Sequence, residues 1–203
     1  VIEKLIEKEE AIESKLDSEQ QENIKAVFSA QVKESDHLMV VAEPMLESDS
    51  PVVITQSEFM RRMKDMSQLG GGGMNFYGEL PDSFNLVINS NHEIIDGLAS
   101  EISKEIGEKL KKHAETIESL NSEIADTEKE QEGKKEEEIS QAEKDKLEAL
   151  RKKLTKVEDK KKEEIRKFAD NKPVINQLID LALLANNMLK GENLSTFVKR
   201  SID

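Results

Sequence analysis

The side chains of this sequence whose types could do chemistry are three histidines, a run of four glycines and many carboxylates. His37, His92 and His113 lie far apart, and none forms the HExxH pair that sets two imidazoles on one helical face for a metal. Gly70 to Gly73 would offer bare backbone amides to a phosphate, but no Gly-Lys-Ser/Thr follows. The run also trails a helical pattern instead of opening one. The acids sit in Lys/Glu tracts, where solvent keeps them ordinary bases and no apolar pocket separates their pKa values. No GxSxG turn presents a nucleophile. The reading is a chain with no catalytic residue, no cofactor-binding residue and no metal ligand, a non-enzymatic association module.

Composition points the same way. Hydrophobic and charged residues each make up 36% of the 203 residues and aromatics only 3%, too little bulky apolar material for one large core. Part of the chain must therefore be solvated helix. A formal net charge of −13 argues against broad nucleic-acid binding, which needs clustered Lys and Arg, and favours protein partners. The absence of cysteine fits a reducing compartment, and the cytoplasm is the default. No apolar run has signal-peptide or membrane-spanning length, so no membrane is expected. The opening VIEKLIEKEE, without an initiating Met, suggests a C-terminal piece of something longer.

Ile2, Leu5, Ile6, Ile12 and Leu16 recur at roughly helical spacing and predict a first helix ending near Asp17. Ser18 with Gln21 matches a capping box for a second, whose stripe is Ile24, Val27, Phe28 and Val32. From Leu38 to Thr55, β-branched runs flank a polar Glu47 to Ser50 turn, which predicts a β-hairpin. FNLVIN, Phe84 to Asn89, reads as a third strand entered through Leu80-Pro81-Asp82. Between them, Thr55 with Glu58 matches another capping box, opening a short helix with Phe59, Met63 and Met66 on one face and a stop at the glycines. The fold class is α+β, a small three-stranded sheet packed with helices.

The charged stretch that follows carries a thin apolar seam. Leu110, Ile117 and Ile124 lie seven apart, as do Leu147 with Leu154 and Leu150 with Val157, the spacing of a coiled coil. Reversal at Gly133 aligns Leu120 with Leu147, Ile117 with Leu150, His113 with Leu154, Leu110 with Val157, Ile102 with Ile165 and Ala99 with Phe168. Residues 101–133 hold 5 basic and 10 acidic side chains and residues 134–172 hold 14 and 11, so the two arms attract. An antiparallel helical hairpin follows. After Pro173, Val174 to Leu189 is apolar around most of a helical circumference and ends at Gly191, so it needs cover on more than one side. Leu194 to Ile202 forms a last amphipathic helix.

The blocks TQSEFMRRMKDMS, LPDSFNLVINSNHEIIDGL and LIDLALLANNMLKGENLSTFVKRSI resemble the C-terminal domain of the bacterial heat-shock-protein-90 chaperones, the HtpG family. Leu86, Ile88-Asn89, His92 and Ile94-Ile95 match its strand-to-helix passage, with Ser90 and Asn91 in place of the usual Pro-Asp. The resemblance implies a helix over 1–17 leading from an upstream middle domain and a C-terminal dimerisation domain from 18–103 and 172–203; the charged hairpin over 104–171 departs from the family and reads as an insertion. The resemblance implies a homodimer whose interface includes Leu178, Leu181, Leu184, Ala185, Met188, Phe197 and Val198. It also implies contact of Phe59, Met63 and Met66 with unfolded or partly folded client proteins in a stress response, a task suited to pliable methionine. ATP and Mg would belong to an N-terminal domain outside this sequence. The chain stops at Asp203, where the family continues with further apolar residues, implying a trimmed dimer helix; the acidic tail of eukaryotic relatives is absent. The rival reading is a structural spacer or protein-interaction module built on the coiled-coil hairpin.

Overall fold

A computed structural model describes residues 12–33, 38–56, 62, 84–131 and 140–202. The chain divides into two compact units, Val1–Glu101 with Ala169–Asp203, and Ile102–Phe168.

The first unit is organised by its most apolar strand. Leu86, Val87 and Ile88 in β3 (Phe84–Asn89) are all buried, and a strand buried on both faces belongs at the centre of a sheet. β1 (Leu38–Glu43) pairs parallel with β3, and β2 (Val52–Gln56) pairs antiparallel with it, giving the order β1-β3-β2. The expected hairpin between Leu38 and Thr55 is therefore absent, because β3 separates the two strands. Residues 44–51 are too long a connection for a tight turn, and they are held by the end of β3 instead. Met45 N–H donates to Asn89 Oδ1 at 3.2 Å, Asn89 Nδ2 donates to the Leu46 carbonyl at 2.8 Å, and Asn89 N–H donates to the Pro51 carbonyl at 2.9 Å. Thr55 is a strand residue facing Asn85, so it does not cap a helix.

Helix α1 (Ser18–Ser29) buries Ile24, Val27 and Phe28 and packs on β1. Its cap lies one residue earlier than the sequence suggests: Asp17 accepts from Gln20 N–H at 2.8 Å, and Gln20 Oε1 accepts from Asp17 N–H at 3.0 Å. Gln21 reaches backwards, donating to the Leu16 carbonyl at 2.9 Å. Residues 12–17 are not helical, so the part of the expected first helix from Ile12 onward is an irregular lead; residues 1–11 lie outside the described residues.

Helix α2 (Glu93–Ile102) runs into a π-helical turn, Ser103–Gly107, and on into α3 (Glu108–Gln131). Ile102, Ile106 and Leu110 lie four apart and are all buried, a spacing that would drift around an α-helix and that the wider π turn keeps on one side. α4 (Gln141–Asp170) opens on a capping box the sequence reading missed: Ser140 N–H donates to Glu143 Oε2 at 2.8 Å and Glu143 N–H to Ser140 Oγ at 3.3 Å.

In the second unit α3 and α4 run antiparallel, since Lys109 pairs with Glu164 at 2.9 Å and Glu128 with Arg151 at 2.7 Å. Leu110, Leu120, Thr127, Leu150, Ile165 and Phe168 are buried along the seam, and His113, Ile117, Ile124, Leu147, Leu154 and Val157 are half-buried. The arms pair, but not in the expected register. Reversal at Gly133 would set Lys109 opposite Glu158 and Arg151 opposite Thr116. A seam with a seven-residue repeat fits itself again after a slip of about two turns, so apolar spacing alone does not choose between registers.

Candidate association surface

Helix α5 (Pro173–Ala185) starts on proline, whose missing N–H costs nothing in a first turn. It ends at Ala185, short of the expected Leu189. Asn187 adopts φ 56°, Met188 N–H donates to the Leu183 carbonyl at 2.8 Å and Asn187 N–H to the Leu184 carbonyl at 3.0 Å. This is a Schellman ending with asparagine in the left-handed position usually held by glycine. Gly191, φ +58°, opens helix α6 (Gly191–Ile202).

α5 carries two apolar faces. Ile175, Leu178, Ile179, Ala182 and Leu183 recur at steps of three and four and are buried, and the helix packs on β2 and α6. Leu181 and Leu184 lie on the other side and are 46% and 39% exposed. Ala185 is exposed and Met188 half-buried. α6 adds Leu194 at 36% and Val198 at 45%, with Phe197 half-buried. Of the expected interface residues, Leu178 thus lies in the interior of the unit, while Leu181, Leu184, Ala185 and Val198 are open to solvent. Leu194, the first residue of the amphipathic segment predicted from the sequence, is exposed as well.

Polar links join α6 to α5 and both to the residues that follow α1. Arg200 donates to the Asp180 carboxylate, and Lys33 Nζ donates to Asn193 Oδ1 at 2.6 Å. Asn176 Nδ2 donates to Gln31 Oε1 at 2.9 Å, and Gln31 Nε2 to Asp170 at 2.8 Å. Gln31, Lys33, Asn176, Asp180, Asn193 and Arg200 line a cleft of about 190 Å³ together with Ile179 and Leu183. These hydrogen bonds tie α6 to α5 and both to the residues that follow α1.

The remaining candidates separate. Phe59, Met63, Met66, the glycine run and His37 lie outside the described residues. His92 Nδ1 accepts from Ile94 N–H at 3.1 Å at the start of α2, and His113 sits in the seam of α3. Among the described residues no group of three His, Asp or Glu could hold a metal, and no helix is long and apolar enough to cross a membrane.

Compared with known proteins, the whole chain aligns with chaperone protein HtpG of Bacteroides fragilis at 42% identity over 205 residues. It aligns with that of Bacteroides thetaiotaomicron at 43% over 209 residues. HtpG of Porphyromonas gingivalis is 40% identical over 98% of the chain. The chain spans about 30% of the length of these relatives. No family model and no solved structure matches.

Proposed function

The chain belongs to the HtpG family, aligned over its whole length with a C-terminal part of those chaperones, and from that premise we propose that it is the dimerisation and client-contact part of an ATP-dependent chaperone. The observation that carries this reading is the exposure of four large apolar side chains, Leu181, Leu184, Leu194 and Val198, on two helices that pack against each other. Two helices presenting such side chains bury them by meeting those of a second copy, the self-complementary arrangement of a two-fold dimer. Held together there, two copies keep their upstream arms at high effective concentration.

In this reading the chain contributes association and client contact, while ATP and Mg are bound upstream and the protein works in the cytoplasm. Phe59, Met63 and Met66 supply the client-contact face, on the strength of the resemblance alone. Light scattering on the chain is expected to give a dimer mass that falls to a monomer in Leu181→Glu with Leu184→Glu. A wild-type monomer at high concentration overturns the dimer. Met63→Glu with Met66→Glu is expected to weaken capture of an unfolded protein at unchanged dimer mass. Unaltered capture removes those residues from the client surface.

A further inference from the structure

Four lysines on α4, Lys146, Lys153, Lys160 and Lys167, are spaced seven residues apart and all exposed. Seven residues are nearly two turns, so the row stays on one side of the helix with a drift of about 20° per interval. It extends for about 30 Å at 1.5 Å per residue. Lys156 lies beside it, three residues after Lys153 and four before Lys160. We propose that this lysine row is a docking surface for an acidic helical segment of a partner protein, one carrying carboxylates at the matching seven-residue spacing.

The hairpin does not use these lysines to hold itself together. Cross-arm ion pairs among the described residues include Lys109 with Glu164 and Arg151 with Glu128. Lys167 pairs only within its own helix, with Glu163 at 2.7 Å. Lys146, Lys153, Lys156 and Lys160 have no ion pair or hydrogen bond among the described residues. Three of them, Lys153, Lys156 and Lys160, stand at steps of three and four, where like charges repel along a helix face. Lysines that are exposed and make no cross-arm ion pair among the described residues have their charge open to a partner.

Charge decides the class of occupant. The chain as a whole is at −13, and the neighbouring arm exposes Glu115, Glu118, Glu123 and Asp126. A nucleic-acid backbone, with its dense uniform charge, would be repelled by that arm as much as attracted by the row. A helix with one acidic edge places its carboxylates at about the same 10.5 Å interval as the lysines and turns uncharged sides elsewhere.

The test uses the full chain and a fluorescent Ala/Gln-based helical peptide with glutamate at every seventh position. Controls are a peptide of the same composition with its glutamates spread around the helix, and a short duplex DNA. Anisotropy at low salt is expected to show the patterned peptide binding at least tenfold more tightly than either control. Lys153→Gln with Lys156→Gln and Lys160→Gln should abolish that preference, while Lys144→Gln with Lys162→Gln, off the row, leaves it intact. The triple variant should melt no lower than the parent by circular dichroism, because it removes repulsion. A fall in melting temperature would make the lysines structural and overturn the proposal. Equal binding of the two peptides, tighter binding of the DNA, or binding retained by the triple variant would overturn it as well.

Discussion

Asn91 Oδ1 accepts a 2.8 Å hydrogen bond from the backbone N–H of Lys15. The same side chain donates from Nδ2 to the Glu13 carbonyl at 3.0 Å and to the Met45 carbonyl at 3.1 Å. Asn91 is 5% exposed, so one amide ties two separate stretches of chain to the end of β3. Ser90, fully buried beside it, accepts from Ser14 Oγ at 2.8 Å. These are the two positions where the sequence departs from the Pro-Asp usual in the resemblance.

Asn91→Asp is therefore expected to destabilise the unit, although it restores the more usual residue. It replaces the donor of two part-buried hydrogen bonds with an acceptor facing two carbonyls. Leaving such groups unpaired costs about 1–3 kcal/mol each. Urea unfolding followed by circular dichroism measures the loss; an unchanged midpoint would mean that the clasp does not hold the lead to the sheet.

The two faces of α5 are expected to respond differently to the same truncation. Leu178→Ala opens a cavity at a position 7% exposed and should cost about 2–5 kcal/mol. Leu181→Ala, at 46% exposure, should lower stability by far less at concentrations where the chain is monomeric. Equal losses in both variants under those conditions would place Leu181 in the interior with Leu178.

Acid weakens the hairpin at an identifiable pair. The hydrogen bond from Lys109 holds the Glu164 carboxyl below its ordinary value of 4.5, with burial opposing and the charges of Lys109, Lys167 and His113 adding to the lowering. A carboxyl whose folded value is depressed contributes stability above its unfolded value. That contribution is lost as the pH falls below 4.5 and through the depressed value. Lys109→Met is expected to move the Glu164 titration, followed by carbon NMR, to higher pH. An unmoved titration would show that the 2.9 Å pair does not form in solution.

The sequence made the elements more legible than their pairing. α1 was readable from the spacing of Ile24, Val27 and Phe28, and α5 from the proline at its start, because helix signals are local. The order of the strands was not, because adjacency along the chain suggests a hairpin, whereas burial on both sides decides which strand is central. The unbroken apolar run Leu86-Val87-Ile88 was the available signal. Helix ends failed where polar side chains compete for the same job. Asp17 outranks Ser18 as a cap, and Asn187 does what Gly191 was expected to do. On the association surface, the sequence identified an all-round apolar helix, but only packing on β2 separates Leu178 from Leu181. The Asn91 clasp had no local signature, since its partners lie 44–51 and 12–16 in the chain.

The register of the hairpin is the sharpest remaining test, because two alignments of the seam are nearly equivalent in apolar contact and differ in which charges meet. The chain contains no cysteine, so introduced pairs report without interference. Lys109→Cys with Glu164→Cys should be joined efficiently by a short bismaleimide, and so should Glu128→Cys with Arg151→Cys. Lys109→Cys with Glu158→Cys, neighbours under reversal at Gly133, should join poorly, as should Thr116→Cys with Arg151→Cys. Mass spectrometry of the tryptic fragments distinguishes these products. If the second set joins as well as the first, the arms sample both registers and the ion pairs of Lys109 with Glu164 and Arg151 with Glu128 do not select one. Exposed pairs contribute only about 0–1 kcal/mol each, so a selective result would require help from the polar seam. There His113 lies within electrostatic reach of Glu164 and Lys161 is half-buried; a slip would carry these groups against Leu154 and Ile106 instead, stranding charge on apolar surface. His113→Leu is accordingly expected to relax the selectivity, allowing the Lys109→Cys with Glu158→Cys pair to join without loss of helix content.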